Sequence, residues 1–82
     1  MKLPYTRIDK VVYVARPTYS WTYLNEHGGS FSMGHFTTLK RCLESCLKSH
    51  PDAEIYLNQV DWDYEADKPI ETIIETLTGV KV

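Results

Sequence analysis

Leu39, Cys42, Leu43, Cys46, Leu47 and His50 recur at i, i+3, i+4, i+7, i+8 and i+11, which gathers them into one stripe along an α-helix. Lys40, Arg41, Glu44, Ser45 and Lys48 fall on the other side. Thr37 or Thr38 offers a hydroxyl to cap the start. Pro51, which has no backbone N–H, bars continuation, so a helix is predicted over residues 38–49. A single amphipathic helix cannot bury its own stripe. It needs an apolar sheet face to lie on, and the rest of the chain must supply one.

The flanking segments read as strands. Residues 7–15 hold Val11-Val12-Tyr13-Val14, β-branched and aromatic on both faces, the signature of a central strand, and Pro17 ends it. Residues 18–24 alternate Tyr19, Trp21 and Tyr23 with Thr18, Ser20 and Thr22, giving a half-buried strand with one aromatic face. Asn25-Glu26-His27-Gly28-Gly29 supplies a turn, and residues 30–34 return as a short third strand. A fourth strand is predicted over 54–65. Its apolar side changes from Ile55 and Leu57 to Val60, Trp62 and Tyr64, as burial on both faces or a bulge near Asn58-Gln59 would produce. Ile70, Ile73, Ile74 and Leu77 suggest a second helix over 68–78, with Asp67 as cap, Pro69 in its first turn and Gly79 past its end. The expected fold is a small single α+β domain over residues 1–82 in the order β-β-β-α-β-α, a mostly antiparallel sheet with helices on one face.

Eighty-two residues lie near the size at which one core leaves only a few kcal/mol of net stability. Ten aromatics, six of them Tyr, are generous for that length, and some should reach the surface, where Tyr and Trp often anchor partners. Met1-Lys2-Leu3-Pro4 is not followed by the apolar stretch of a secretory leader, and no run approaches the roughly 20 apolar residues of a membrane helix. Two thiols are too few for a disulfide framework. A cytoplasmic protein without a membrane contact is expected.

The net charge of −2 hides a division. Residues 1–50 carry seven basic groups against three acidic ones, a balance of +4, and residues 51–82 carry two against eight, a balance of −6. If the halves occupy different regions the molecule is electrically bipolar; if they interleave in one sheet, the asymmetry largely cancels.

Few constellations offer chemistry. Thiolate and imidazole are good zinc ligands, and Cys42, Cys46 and His50 share a helical stripe, but they share it with three leucines. Only the distant His27 or His35 is left to complete four ligands, so core packing is the expected role. Asp61-x-Asp63-x-Glu65-x-Asp67 matches the first ligand spacings of a calcium loop but has Ala66 where the loop needs glycine and Thr72 where it needs glutamate. Gly28-Gly29 lacks the lysine and the strand-to-helix setting of a phosphate loop. No catalytic residue, metal or cofactor is assigned, and a non-enzyme is expected.

The acidic tract is the unusual feature. Asp61, Asp63, Glu65 and Asp67 alternate with Val60, Trp62, Tyr64 and Ala66, which in a strand lines up four carboxylates about 6.6 Å apart, close to the roughly 7 Å between phosphates of a nucleic-acid strand. Glu71 and Glu75 extend the patch if the last segment is helical. Such a face either guards a solvated edge strand or docks on a cationic partner. On the second reading the chain is a small regulator or inhibitor, of the kind phages and other mobile elements encode, that meets the basic surface of a nucleic-acid-handling protein. A homodimer joining the two charged halves, or two edge strands, is a further possibility.

The alternative is a nucleic-acid-binding sheet using Arg16, Tyr19, Trp21 and Tyr23. Residues 13–46, three strands and a helix entered through Met33-Gly34-His35-Phe36-Thr37-Thr38, resemble the small DNA-binding domains of plant ethylene-response factors and phage integrase arms. That resemblance implies groove reading by arginines and tryptophans on the sheet. Only Arg16 stands near such a place, and a chain of net −2 has little charge to neutralise phosphates.

Overall fold

The structure, a computed structural model, describes residues 3–76, with side chains described as far as Ile73. The elements run β1 (Tyr5–Val11), β2 (Thr18–Leu24), β3 (Ser30–Phe36), α1 (Leu39–Ser49), β4 (Glu54–Asp63) and β5 (Lys68–Thr76). They form one five-stranded sheet in the order β3-β2-β1-β4-β5. Pairs β1/β2, β2/β3 and β4/β5 are antiparallel, while β1 and β4 are parallel, because α1 carries the chain back across the sheet before β4 begins.

The α+β class stands, but the last element does not. Residues 68–76 form a strand, not the helix predicted over 68–78, and residues 77 and 78 lie outside the described region. Ile70, Thr72, Ile73, Ile74 and Thr76 explain the outcome: β-branched side chains lose rotamer freedom on a helix and pack well on a pleated surface. Pro69 is tolerated because β5 is an edge strand. Asp67 is not a helix cap; it turns the chain with a left-handed φ of 55°. Among the described residues the order is therefore β-β-β-α-β-β, with a mixed sheet and one helix.

Other boundaries shift for local reasons. β1 begins at Tyr5 and ends at Val11, so Val12, Tyr13 and Val14 sit in the following loop instead of a central strand. The Val12 N–H still donates to the Val60 carbonyl at 3.0 Å before the chain departs. β3 runs on to Phe36, and β4 stops at Asp63 rather than residue 65. The register between β4 and β5 shifts at Leu57/Asn58, with Leu57 opposite Glu75 and Asn58 opposite Ile73, so the extra residue belongs to β5. In the β2–β3 turn the Asn25 carboxamide accepts from the N–H groups of His27 and Gly29, both at 2.9 Å, and Gly28 takes the positive φ of 85°.

The core lies between α1 and one face of the sheet. Register places Ile8 between Trp21 and Leu57, and Thr6 between Tyr23 and Ile55, so two rows of side chains cross three strands on the same face. Cys42 and Cys46 descend onto these rows, with Leu39, Leu43 and Leu47 at the margins. The Thr38 hydroxyl caps the helix by accepting from the Arg41 N–H at 3.2 Å, and the His50 N–H closes its other end on the Cys46 carbonyl at 2.8 Å. α1 packs mainly against β1, β2 and β3, and the core beneath it also takes in Ile55 and Leu57 of β4.

One core atom is out of place. Among the described residues the Thr6 hydroxyl is fully buried and has no hydrogen-bond partner. An unpaired buried hydroxyl costs about 1–3 kcal/mol. Thr6→Val keeps the shape and removes the hydroxyl, and urea titration should find the variant more stable than the wild type by about 1 kcal/mol or more. Lower stability would show that the hydroxyl is satisfied in solution.

Candidate functional site

Charge and exposed aromatic surface meet at one end of the sheet. β1 and β4 run parallel, so the loop after β1 (residues 12–17) and the turn after β4 (residues 64–67) emerge side by side. The rings of Tyr13 and Trp62 pack with centroids 5.7 Å apart and join the two segments. Val14 and Arg16 are exposed on the loop, and Tyr64, 78% exposed, tops the turn. Alternation predicts Trp62 and Tyr64 as a rigid apolar backing for the acidic tract; instead Trp62 is half-buried and Tyr64 points into solvent.

The four carboxylates do not form one stripe. Only Asp61 and Asp63 keep strand spacing, on the face that also carries Ile55 and Leu57, while Glu65 and Asp67 belong to the turn. Asp63 shapes that turn: its Oδ1 accepts from the N–H groups of Glu65 at 3.0 Å and Ala66 at 3.1 Å. Asp61 accepts from the Trp62 N–H at 2.8 Å. Asp61, Glu65 and Asp67 stand exposed around Tyr64, with Lys68 paired opposite Asp63. The helical extension through Glu71 and Glu75 does not exist. Glu71 sits opposite Val60 in β5, on the other face of the sheet, and Glu75 lies opposite Leu57, its side chain outside the described region.

Glu71 belongs to a separate polar row. Asn58, 2% exposed, donates from Nδ2 to Asp9 Oδ1 at 2.8 Å and to Glu71 Oε1 at 3.2 Å. Arg7 closes the row, its Nε donating to Asp9 Oδ1 at 2.9 Å. One amide and one guanidinium thus hold two carboxylates on the face without a helix, across β1, β4 and β5. Parity alone could have placed Asn58 opposite Leu57, but not its partners, which lie 49 and 13 positions away in the chain.

The aromatic sheet face is occupied by the fold. Trp21 is 0% exposed under α1, its indole N–H donating to Ser45 Oγ at 3.0 Å, and Tyr19 and Tyr23 are half-buried at the edge of the same core. Arg16 stands apart on the loop. The face of β2 turned away from the helix offers Thr18, Ser20, Thr22 and Leu24, so no tryptophan is available there to stack on a base.

Cys42 and Cys46 are free thiols in the core, and Cys46 Sγ donates to the Leu43 carbonyl at 3.3 Å. The His50 ring stacks flat on Tyr23 with centroids 3.6 Å apart and meets Trp21 edge-on at 5.7 Å. Among the described residues no three His, Cys, Asp or Glu side chains converge as a metal site would require. Burial pushes the Cys42 thiol up to about 12, with the charges of Cys46 and Asp9 adding to it, and pushes Cys46 up to about 11 against the opposing effect of backbone N–H groups. These are protonated, shielded sulfurs without nucleophilic character at neutral pH.

No protein-family model, curated protein or solved structure gives a significant match to this chain.

Two outcomes follow from this geometry. Asp63→Ala removes the acceptor for two backbone donors and should lower stability by about 1–2 kcal/mol in urea titration, whereas Asp61→Ala, at a single exposed bond, should cost less. The folded thiols hold their protons above the ordinary value of 9.0, so their contribution to stability is complete below pH 9 and is lost as pH rises toward 11–12. Unfolding free energy measured from pH 8 to 11 should therefore fall more steeply for the wild type than for a Cys42→Ala/Cys46→Ala variant. Equal slopes would place the thiols in a wetter setting.

Proposed function

We propose that the chain is a non-enzymatic interaction module whose acidic, tyrosine-tipped β4–β5 hairpin docks on a basic protein surface, of the sort that nucleic-acid-handling proteins present, and regulates or inhibits that partner. The observation that carries this reading is Tyr64, the most exposed large hydrophobic side chain among the described residues, on a turn that Asp63 pins by two hydrogen bonds. A large aromatic held out in water contributes nothing to the core. On a preordered turn it enters a partner's pocket with little further loss of entropy.

The surrounding charges suit the same role. Asp61, Glu65 and Asp67 are exposed within three residues of Tyr64 along the chain, and exposed carboxylates of one sign steer a cationic surface toward it and set its orientation. Tyr13 and Val14 on the neighbouring loop, each 42% exposed, extend the apolar part of the contact. The phosphate-like repeat gives little support, since it spans only Asp61 and Asp63. The reading rests on the anchor and the field around it.

The test is capture of a partner from lysate by immobilised chain at two salt concentrations. A partner bound through the hairpin should lose affinity roughly tenfold or more on Tyr64→Ala, and should be released by salt and by Glu65→Gln/Asp67→Asn together. Capture indifferent to all three changes, or none at all, overturns the proposal.

A further inference from the structure

We infer that β3 is a self-pairing edge and that two copies of this chain join through it into one continuous ten-stranded sheet. This rests on residues remote from the acidic hairpin and is independent of how that hairpin is used. Among the described residues β3 ends the sheet on one side, and no strand there bonds the outward N–H and C=O groups along it. Natural edges are usually blunted by charge, proline or a bulge within the strand. β3 carries no Lys, Arg, Asp, Glu or Pro, and its only irregularity lies at the far end, where Tyr19 faces Phe36 and Ser20 faces Gly34. That leaves residues 30–34 as a regularly paired, uncharged segment.

Its side chains are self-complementary. Phe31, 53% exposed, and Met33, 42% exposed, share one face; Ser30 and Ser32 share the other. A two-fold axis through Ser32, the middle of the regular segment, sets Phe31 of each copy against Met33 of the other, Ser32 against Ser32 and Ser30 against Gly34. Every apolar side chain then meets an apolar one, as an isologous contact requires.

Charge selects this edge over the other. β5, the opposite edge, holds Lys68, Pro69 and Glu71 and adjoins the acidic turn, so two copies meeting there would bring like charges together. Pairing through β3 leaves the acidic hairpins at the two ends of the joined sheet, roughly 40 Å apart across ten strands at about 4.8 Å, several Debye lengths at physiological salt. An isologous contact uses the β3 edge of both copies and leaves no β3 free, so association stops at two.

Sedimentation equilibrium over a concentration series tests the contact. The wild type should approach twice the monomer mass as concentration rises. Ser32→Lys and Ser32→Glu each place like charges across the axis, at a cost inside the fold of only the exposed 2.9 Å contact between Ser32 and Thr22 hydroxyls. Each alone should weaken dimerisation about fivefold, and an equimolar mixture should restore it by pairing Lys with Glu. A wild type that stays monomeric, single variants that dimerise as the wild type does, or a mixture no tighter than its components would each overturn the inference.

Discussion

The indole of Trp21 has to be buried and has to find a hydrogen-bond acceptor, and much of the structure is arranged around those two demands. Its ring fills the space between β2 and α1, and its N–H ends on Ser45 Oγ, which in turn donates to the Met33 sulfur at 3.5 Å. Phe31 packs against the same ring with centroids 5.6 Å apart, and His50 meets it edge-on. One side chain thereby fixes the height and rotation of the helix over β2 and β3. The helix, so placed, lies mainly over β1, β2 and β3 and meets β4 only through Ile55 and Leu57 in the shared core. The far part of the sheet is held by its ladder and by the Arg7, Asp9, Asn58 and Glu71 row instead.

What the sequence revealed depended on whether one period dominated. The stripe from Leu39 to His50 has a single reading and a proline to stop it, and α1 falls within a residue of expectation. Tyr19, Trp21 and Tyr23 alternate without interruption, and β2 matches. Residues 68–76 satisfy two periods at once: Ile70, Ile73, Ile74 and Leu77 suit a helix, while the density of β-branched residues suits a strand. The neighbouring β4, an available partner, decides between them. Periodicity also misplaced the acidic tract. Strict alternation through Asp67 looks like one long strand, but Asp63 can bond the backbone beyond it and so can end a strand as easily as extend it. Exposure of Tyr64 follows from that choice; composition said that some aromatics should reach the surface, not which.

The division of charge along the chain becomes a division in space. Residues up to 50 form β1, β2, β3 and α1, the later ones form β4 and β5, and the boundary is the ladder between β1 and β4. The halves do not interleave. The basic half carries the helix and the uncharged β3 edge, and the acidic half carries the exposed tyrosine, so partners of opposite charge are steered to opposite parts of the sheet.

That same ladder sets the order in which the molecule can assemble. β1 pairs with β2 across a short loop but with β4 across a separation of 49 residues, Tyr5 lying opposite Glu54. During synthesis the β1–β2–β3 meander and the helix can form while the second side of β1 still has no strand to bond. Loop closure over that distance comes late and is entropically demanding, so docking of the β4–β5 hairpin on β1 is the slow, cooperative step. Until it occurs, Ile8 and Trp21 lack the wall that Ile55 and Leu57 provide, and the nascent chain exposes its central strand to whatever other strand is near.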